Sequence, residues 1–103
     1  MRLEDVMKRA FANAQAKGFW DIPRNKGEMI ALMHSELSGM LEGIRKPGPD
    51  SHCPEFTSEE IELADLFIRG FDYAEAHSLR LVDAILAKMA FNETRPHMQG
   101  KAF

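Results

Sequence analysis

The spacing of apolar residues is the feature of this 103-residue chain that most constrains its fold. Apolar side chains recur every three or four positions through most of the sequence, which is the period of an α-helix. No segment alternates apolar and polar residues as a half-buried strand does, and no Asn-Gly or Asp-Gly hairpin turn occurs. The pattern therefore predicts an all-α protein.

Local stop and start signals divide this pattern into four helices. They are predicted over residues 3–16, 27–44, 57–76 and 79–91. The Pro-Gly-Pro sequence at 47–49 ends the second helix, and residues 57–60 have the form of a capping box that begins the third. Residues 92–103 are expected to form an irregular tail. Short links between four helices predict an antiparallel four-helix bundle in one domain over residues 1–103.

Composition and charge exclude several classes of protein. Hydrophobic residues make up 45% of the chain and charged residues 28%, which is ordinary for a soluble globular domain. The net charge of −3 provides no basic surface for a nucleic acid polymer. No apolar run is long enough to span a bilayer, and the N-terminus does not have the form of a secretory signal. We therefore expect a cytoplasmic protein that binds neither nucleic acid polymers nor membranes.

The third predicted helix carries a charged stripe. Taking about 100° per residue, its members fall within an arc of roughly 80°. They are Glu62, Asp65, Arg69 and Asp72. Apolar residues occupy most of the remaining circumference, so we expect neighbouring helices or another subunit to cover this helix. Carboxylates in apolar surroundings repel each other and favour a bound cation. The alternative is a solvated face on which Arg69 pairs with Asp65 and Asp72.

The second predicted helix places a carboxylate beside its core face. That face is formed by Met29, Met33, Leu37, Met40 and Ile44. Glu36 lies at its border, while Gly39 and Gly43 leave open space on the other side. A partly desolvated carboxylate in this position is either protonated or bound to a cation. The alternative is a rim carboxylate whose stem packs on methionines. Carboxylates suit Mg²⁺ or Mn²⁺, and these ions commonly serve phosphoryl chemistry.

Four residues outside the acidic helices have both a structural and a functional interpretation. Trp20 is the only tryptophan and is either a core residue or a platform on which a base stacks. Lys88, Asn92 and Arg95 lie near the end of the fourth helix. Either the positive charges of Lys88 and Arg95 stabilise the helix C-terminus, or all three side chains contact phosphate.

Taken together, these stretches resemble the MazG-like family of all-α nucleoside triphosphate pyrophosphohydrolases. That family has a Glu-x-x-Glu pattern on one helix and Glu-x-x-Asp on the next. The second half is complete at residues 62–65, whereas the first half begins at Glu36 and has Gly39 in the fourth position. Small members of the family are also similar over three further stretches. These are residues 17–21, residues 30–38, and residues 92–96 followed by 100–101.

The resemblance implies a Mg²⁺-dependent enzyme, with Mn²⁺ as an alternative ion, that cleaves a nucleoside triphosphate to the monophosphate and pyrophosphate. In such enzymes water attacks the α-phosphorus. The implied catalytic residues and metal ligands are Glu36, Glu62 and Asp65. Asp72 takes a metal-linked or water-positioning role, and Trp20 contacts the base. The implied phosphate contacts are Lys88, Asn92 and Arg95. The family forms its sites in dimers or dimers of dimers, so the resemblance implies a homodimer or homotetramer that completes the bundle.

Gly39 leaves three outcomes open for the activity. It replaces one of four expected carboxylates, and Glu42 lies about 120° around the helix from Glu36 and cannot substitute for it. The chain is then a single-metal enzyme with a reduced rate, a nucleotide-binding protein without catalysis, or an enzyme that receives a carboxylate from elsewhere. A helical bundle whose acidic stripe is only surface is the further alternative.

Overall fold

The computed structural model describes residues 1–102, apart from the side chain of Gln99; Phe103 of the expected tail lies outside the described residues. Four α-helices form the chain. They are α1 (Leu3–Ala16), α2 (Lys26–Arg45), α3 (Ser58–Ala76) and α4 (Leu81–Glu93). Residues 1–102 contain no strand, so the all-α prediction is confirmed. None of the described helices combines the length and apolar character needed to cross a bilayer.

Side-chain caps fix where α2 and α3 begin. The Asn25 side chain accepts a hydrogen bond of 3.0 Å from the Glu28 backbone N–H, which starts α2. The Thr57 hydroxyl accepts from the Glu60 backbone N–H at 3.1 Å, while the Glu60 carboxylate accepts from the Thr57 N–H at 3.1 Å. This reciprocal pair is the capping box that the sequence predicts, and it sets the direction in which α3 leaves the preceding loop.

The C-terminal segment differs from the irregular tail expected over residues 92–103. Helix α4 begins at Leu81 and continues through Glu93, and a 3₁₀ helix follows at His97–Gly100. The expectation is therefore wrong for these residues. The two additional residues of α4 are Asn92 and Glu93, and the helix ends where the Thr94 hydroxyl donates to the Phe91 carbonyl at 2.7 Å, an interaction that satisfies one of the last carbonyls of the helix.

Helix α3 lies between α1 and α2 and packs against both. Its contacts with α2 show that the two helices are antiparallel. Glu36 contacts Arg69, Gly39 faces Glu62, and further along α2 Gly43 faces the start of α3. A Cβ atom at Gly43 would lie 3.0 Å from the Glu59 backbone nitrogen, so the glycine allows the two backbones to approach closely. The packing of these helices fits a bundle.

Burial within one copy of the chain is limited. Among the residues whose burial the structure describes, the buried ones are Met7, Met29, Asp72 and Ala74. The expected core face of α2 is only partly covered, since Leu37 is 46% exposed and Ile44 is 50% exposed. Helix α4 contains no buried residue and does not pack closely on the other three helices. The radius of gyration is 16.1 Å, against about 13 Å for a compact chain of this length.

Candidate metal-binding cleft

Three carboxylates converge where α2 packs on α3. Glu36 comes from α2, and Glu62 and Asp65 come from α3. One oxygen from each side chain lies within 4.8 Å of the other two, and all three residues are half-buried. Opposite ligands of an ion with bonds of 2.0–2.1 Å are about 4 Å apart, so a small contraction would let the three groups share one ion. This oxygen donor set fits a hard divalent cation such as Mg²⁺ or Mn²⁺.

The electrostatics of the cluster favour a cation. A hydrogen bond to Glu36 raises the pKa of Glu62, and burial and the charges of Glu36 and Asp65 raise it further. Burial is the largest cause that raises the pKa of Asp65, and the charge of Glu36 adds to it while Arg69 opposes it. Without a cation, therefore, Glu62 holds its proton more tightly than an ordinary carboxyl group because a second carboxylate lies beside it.

Arg69 supplies a positive charge to this cluster from within the chain. Its Nε donates a hydrogen bond of 2.9 Å to the Glu36 carboxylate, whose side chain is only 14% exposed. The sequence pattern offered Asp65 and Asp72 as ion-pair partners on the same helix, but the structure pairs Arg69 with the neighbouring helix instead. Arg69 therefore compensates the charge of one of the three candidate metal ligands.

Gly39 makes room for Glu62. A Cβ atom at this position would lie 2.6 Å from one Glu62 carboxylate oxygen and 3.1 Å from the other. A larger residue would force the carboxylate away from α2 and from Glu36. The glycine therefore does more than remove an expected carboxylate, because it lets Glu62 reach across to the other helix.

A cleft of about 330 Å³ adjoins the three acids. Two of them, Glu36 and Asp65, line it together with Asp72 and Arg69. Its other lining residues come from α1, α3 and the connector between α1 and α2. They are Ala10, Asn13, Ala14, Lys17, Phe19, Arg24 and Ile68. Sequence reasoning did not assign Lys17, Phe19 or Arg24 to the site, although residues 17–21 belong to the stretches that carry the family resemblance.

Asp72 lies in the cleft but is not one of the clustered carboxylates. It is 8% exposed, and its Oδ1 accepts a hydrogen bond of 2.8 Å from Trp20 Nε1. Burial raises the pKa of Asp72, while the hydrogen bond from Trp20 and the nearby charge of Arg24 lower it. The indole also packs edge-on against Phe11 and His77, with ring centroids 6.0 and 5.8 Å away. Trp20 thus holds the Asp72 carboxylate in place by a hydrogen bond. Phe19, and not Trp20, is the aromatic residue that lines the cleft.

The predicted phosphate contacts of α4 lie apart from this cleft within one chain. None of Lys88, Asn92 and Arg95 is among the described residues that line it. The Lys88 and Arg95 side chains lie over the Phe91 ring, 4.8 and 5.6 Å from its centroid. The Asn92 Oδ1 is buried without a hydrogen bond from the described part of the chain. The structure therefore does not bring these residues to the three carboxylates in a single copy.

Asp50 is a further acid near the cluster, and the sequence pattern did not single it out. Its charge raises the pKa of both Glu62 and Asp65. Its Oδ2 accepts hydrogen bonds from the backbone N–H groups of His52 and Cys53 at 2.8 and 2.9 Å, which hold it in the α2–α3 loop. Only its place in the folded loop reveals this proximity.

Comparison with known protein families, curated protein sequences and solved structures finds no match to this chain. A function must therefore be inferred from the chemistry of the cleft.

Proposed function

We propose that this chain is a Mg²⁺-dependent nucleoside triphosphate pyrophosphohydrolase that works as a homo-oligomer. The observation that carries the proposal is the convergence of Glu36, Glu62 and Asp65, with oxygens within 4.8 Å of one another, beside a cleft of about 330 Å³. Pockets of this size bind small ligands. The family resemblance of the acidic motifs supports the same activity.

The three carboxylates would hold the ion, since their donor atoms suit a hard cation. When bound, Mg²⁺ supplies charge neutralisation at the phosphates and lowers the pKa of a coordinated water. The neighbouring Glu36 raises the pKa of Glu62, and a bound cation would oppose this effect because it stabilises the charged form. Asp72, with one oxygen held by Trp20, has its second oxygen available to orient water in the cleft.

Base binding in this proposal uses Phe19 rather than Trp20. Phe19 lines the cleft and is 57% exposed, so a base can stack on its ring. Trp20 instead contacts Asp72, Phe11 and His77, and these contacts hold the connector in place.

The apolar surface that one copy leaves uncovered supports the proposed oligomer. Leu86, Met89 and Phe91 of α4 are each more than half exposed, and Phe67 of α3 is 52% exposed. Exposed apolar patches of this kind mark contacts between subunits. A second copy could also bring the α4 residues Lys88 and Asn92 to a cleft from which they are remote in their own chain.

A panel of ribo- and deoxynucleoside triphosphates with Mg²⁺, scored for pyrophosphate, tests the activity. The proposal expects Mg²⁺-dependent release from at least one nucleotide, and chelation should abolish it. Absence of turnover across the panel would remove the hydrolase assignment.

The second candidate is a nucleotide-binding protein without turnover, and Gly39 favours it because the expected carboxylate is replaced. It predicts that a nucleotide raises the melting temperature while no product forms. Melting curves recorded with the same nucleotide panel separate the two candidates.

A further inference from the structure

Two cations of the cleft form no ion pair among residues 1–102, although the charge of Arg24 acts on Asp72 from a distance. Lys17 lies at the C-terminal end of α1 and Arg24 in the connector to α2, and both line the cleft with Glu36 and Asp65. The ion pairs among residues 1–102 engage Arg2, Arg45, Lys46 and Arg69, and neither Lys17 nor Arg24 is in one. Their charges are therefore available to an anion that enters the cleft.

Aromatic rings position the Arg24 guanidinium. Its central carbon lies 5.7 Å from the ring centroid of Phe19 and 5.7 Å from that of Trp20. Trp20 is itself fixed by its hydrogen bond to Asp72. Contact with ring faces leaves the N–H groups at the edge of the guanidinium plane to bind a ligand, and these groups match two phosphate oxygens at once.

The charge balance of the cleft also calls for cations. The four carboxylates at the cleft, Glu36, Glu62, Asp65 and Asp72, carry four negative charges, of which one divalent ion and Arg69 offset three. A polyphosphate therefore needs positive groups beyond the metal site if it is to bind without strong repulsion. Lys17 and Arg24 are the cations in the cleft that can supply them.

We propose that Lys17 and Arg24 form a phosphate-binding subsite, which holds the part of a polyphosphate that lies away from the clustered carboxylates. This inference rests on the proposed function for its ligand, a nucleoside triphosphate. Arg24 binds phosphate oxygens through two N–H groups, while Lys17 acts as a point charge.

The test uses inorganic tripolyphosphate, titrated into the full chain by calorimetry in the presence of saturating Mg²⁺. We expect Lys17→Gln and Arg24→Gln each to weaken binding about tenfold, since each removes a charge-assisted contact, and the double variant to weaken it about 100-fold. Arg24→Lys keeps the charge without the paired N–H groups and should fall between wild type and Arg24→Gln. Arg9→Gln, on the exposed part of α1, is the matched control and should change binding less than twofold.

Circular dichroism of each variant establishes that it is folded before titration. The inference is overturned by a wild-type chain that does not bind millimolar tripolyphosphate, by a double variant that weakens binding less than threefold, or by an equal effect of Arg9→Gln. The titration measures binding only, so its outcome is independent of the nucleotide panel that tests for turnover. A chain that binds tripolyphosphate through Lys17 and Arg24 but releases no pyrophosphate in that panel would defeat the hydrolase assignment and leave the subsite in place.

Discussion

The two sides of α3 have opposite chemistry. One side faces α1 and α2, and there the polar groups of α3 have partners: Arg69 contacts Glu36, and Asp72 contacts Trp20. The other side presents Leu63, Phe67 and Phe56 of the preceding loop to solvent, and these line an open apolar groove. The first side is organised within a single chain, whereas on the second these three side chains remain exposed. The comparison separates what one copy organises alone from what the proposed oligomer would supply.

The largest expected effect lies on the polar side. Asp65→Asn keeps the shape of the side chain but removes a charged ligand, so Mg²⁺-dependent pyrophosphate release should fall by on the order of 100-fold or more. The rise in melting temperature with Mg²⁺ should disappear as well. Asp83→Asn, on exposed α4, removes the same charge away from the cleft and should leave both properties unchanged. A Mg²⁺ response that persists in Asp65→Asn would contradict the metal site.

The proposed interface between copies can be tested at the exposed apolar surface of α4. Leu86 is 60% exposed in one copy, so Leu86→Glu should not unfold the chain but should disrupt an interface that covers this helix. Sedimentation should then show the mass falling from an oligomer to a monomer. Ser38→Glu introduces the same charge on the exposed part of α2 and should leave the mass unchanged. A wild-type chain that sediments as a monomer at all concentrations would refute the oligomer.

A third test separates the two aromatic residues of the connector. Trp20→Phe removes the donor to the buried Asp72 carboxylate and should destabilise the fold by about 1.5–3 kcal/mol. Phe19→Ala removes an exposed ring and should instead weaken nucleotide binding with little change in stability. Thermal melts and nucleotide titrations of both variants check this assignment. The reverse pattern would give Trp20 the base-contacting role.

Substitutions of Gly39 and Gly43 in α2 are expected to have smaller effects, which also allow a local comparison. Gly43→Ala brings a Cβ atom to 3.0 Å from the Glu59 backbone nitrogen and should destabilise the protein by about 1 kcal/mol. Gly39→Ala meets only the movable end of Glu62, so stability should hold or rise by up to about 1 kcal/mol while Mg²⁺ binds more weakly. Denaturant unfolding and metal titration measure both. Tighter Mg²⁺ binding by Gly39→Ala would show that Glu62 does not need this space.

The smallest effect is a pH dependence. Because the pKa of Glu62 is raised in the folded chain, its contribution to stability is present at low pH and is lost as the pH rises above about 4 and through the folded pKa. The lowered pKa values of Asp50 and Glu60 act in the opposite sense. The measurement is therefore the difference in melting temperature between wild type and Glu62→Gln in a chelator. Relative to the variant, wild type should lose stability with rising pH, and a constant difference would contradict the raised pKa of Glu62.

The sequence predicted the elements of local origin well. Helix α1 has the predicted bounds Leu3–Ala16, and the capping box before α3 forms as expected. Both depend on residues a few positions apart. The order of acids along α2 and α3 likewise indicated the cluster, because antiparallel neighbours bring Glu36 beside Glu62 and Asp65.

Contacts between segments that are far apart in the sequence could not be predicted from these local patterns. Trp20 and Asp72 are 52 positions apart, and their hydrogen bond depends on how the connector folds over α3. Helical spacing predicted Asp65 and Asp72 as ion-pair partners of Arg69 on its own helix. In the structure, the close approach of α2 pairs Arg69 with Glu36 instead. The expected burial of Leu37 and Ile44 was wrong for one copy because periodicity shows which face is apolar and not whether anything covers it.

The ion pair between Arg69 and Glu36 has a consequence for handling the protein. Because a guanidinium already balances Glu36, one of the three acids, we expect folding not to depend on a metal, unlike that of small domains that fold only around their ion. The chain should remain folded through purification in chelating buffers. The metal-bound protein would then be prepared by adding Mg²⁺ to the folded chain, with no refolding step.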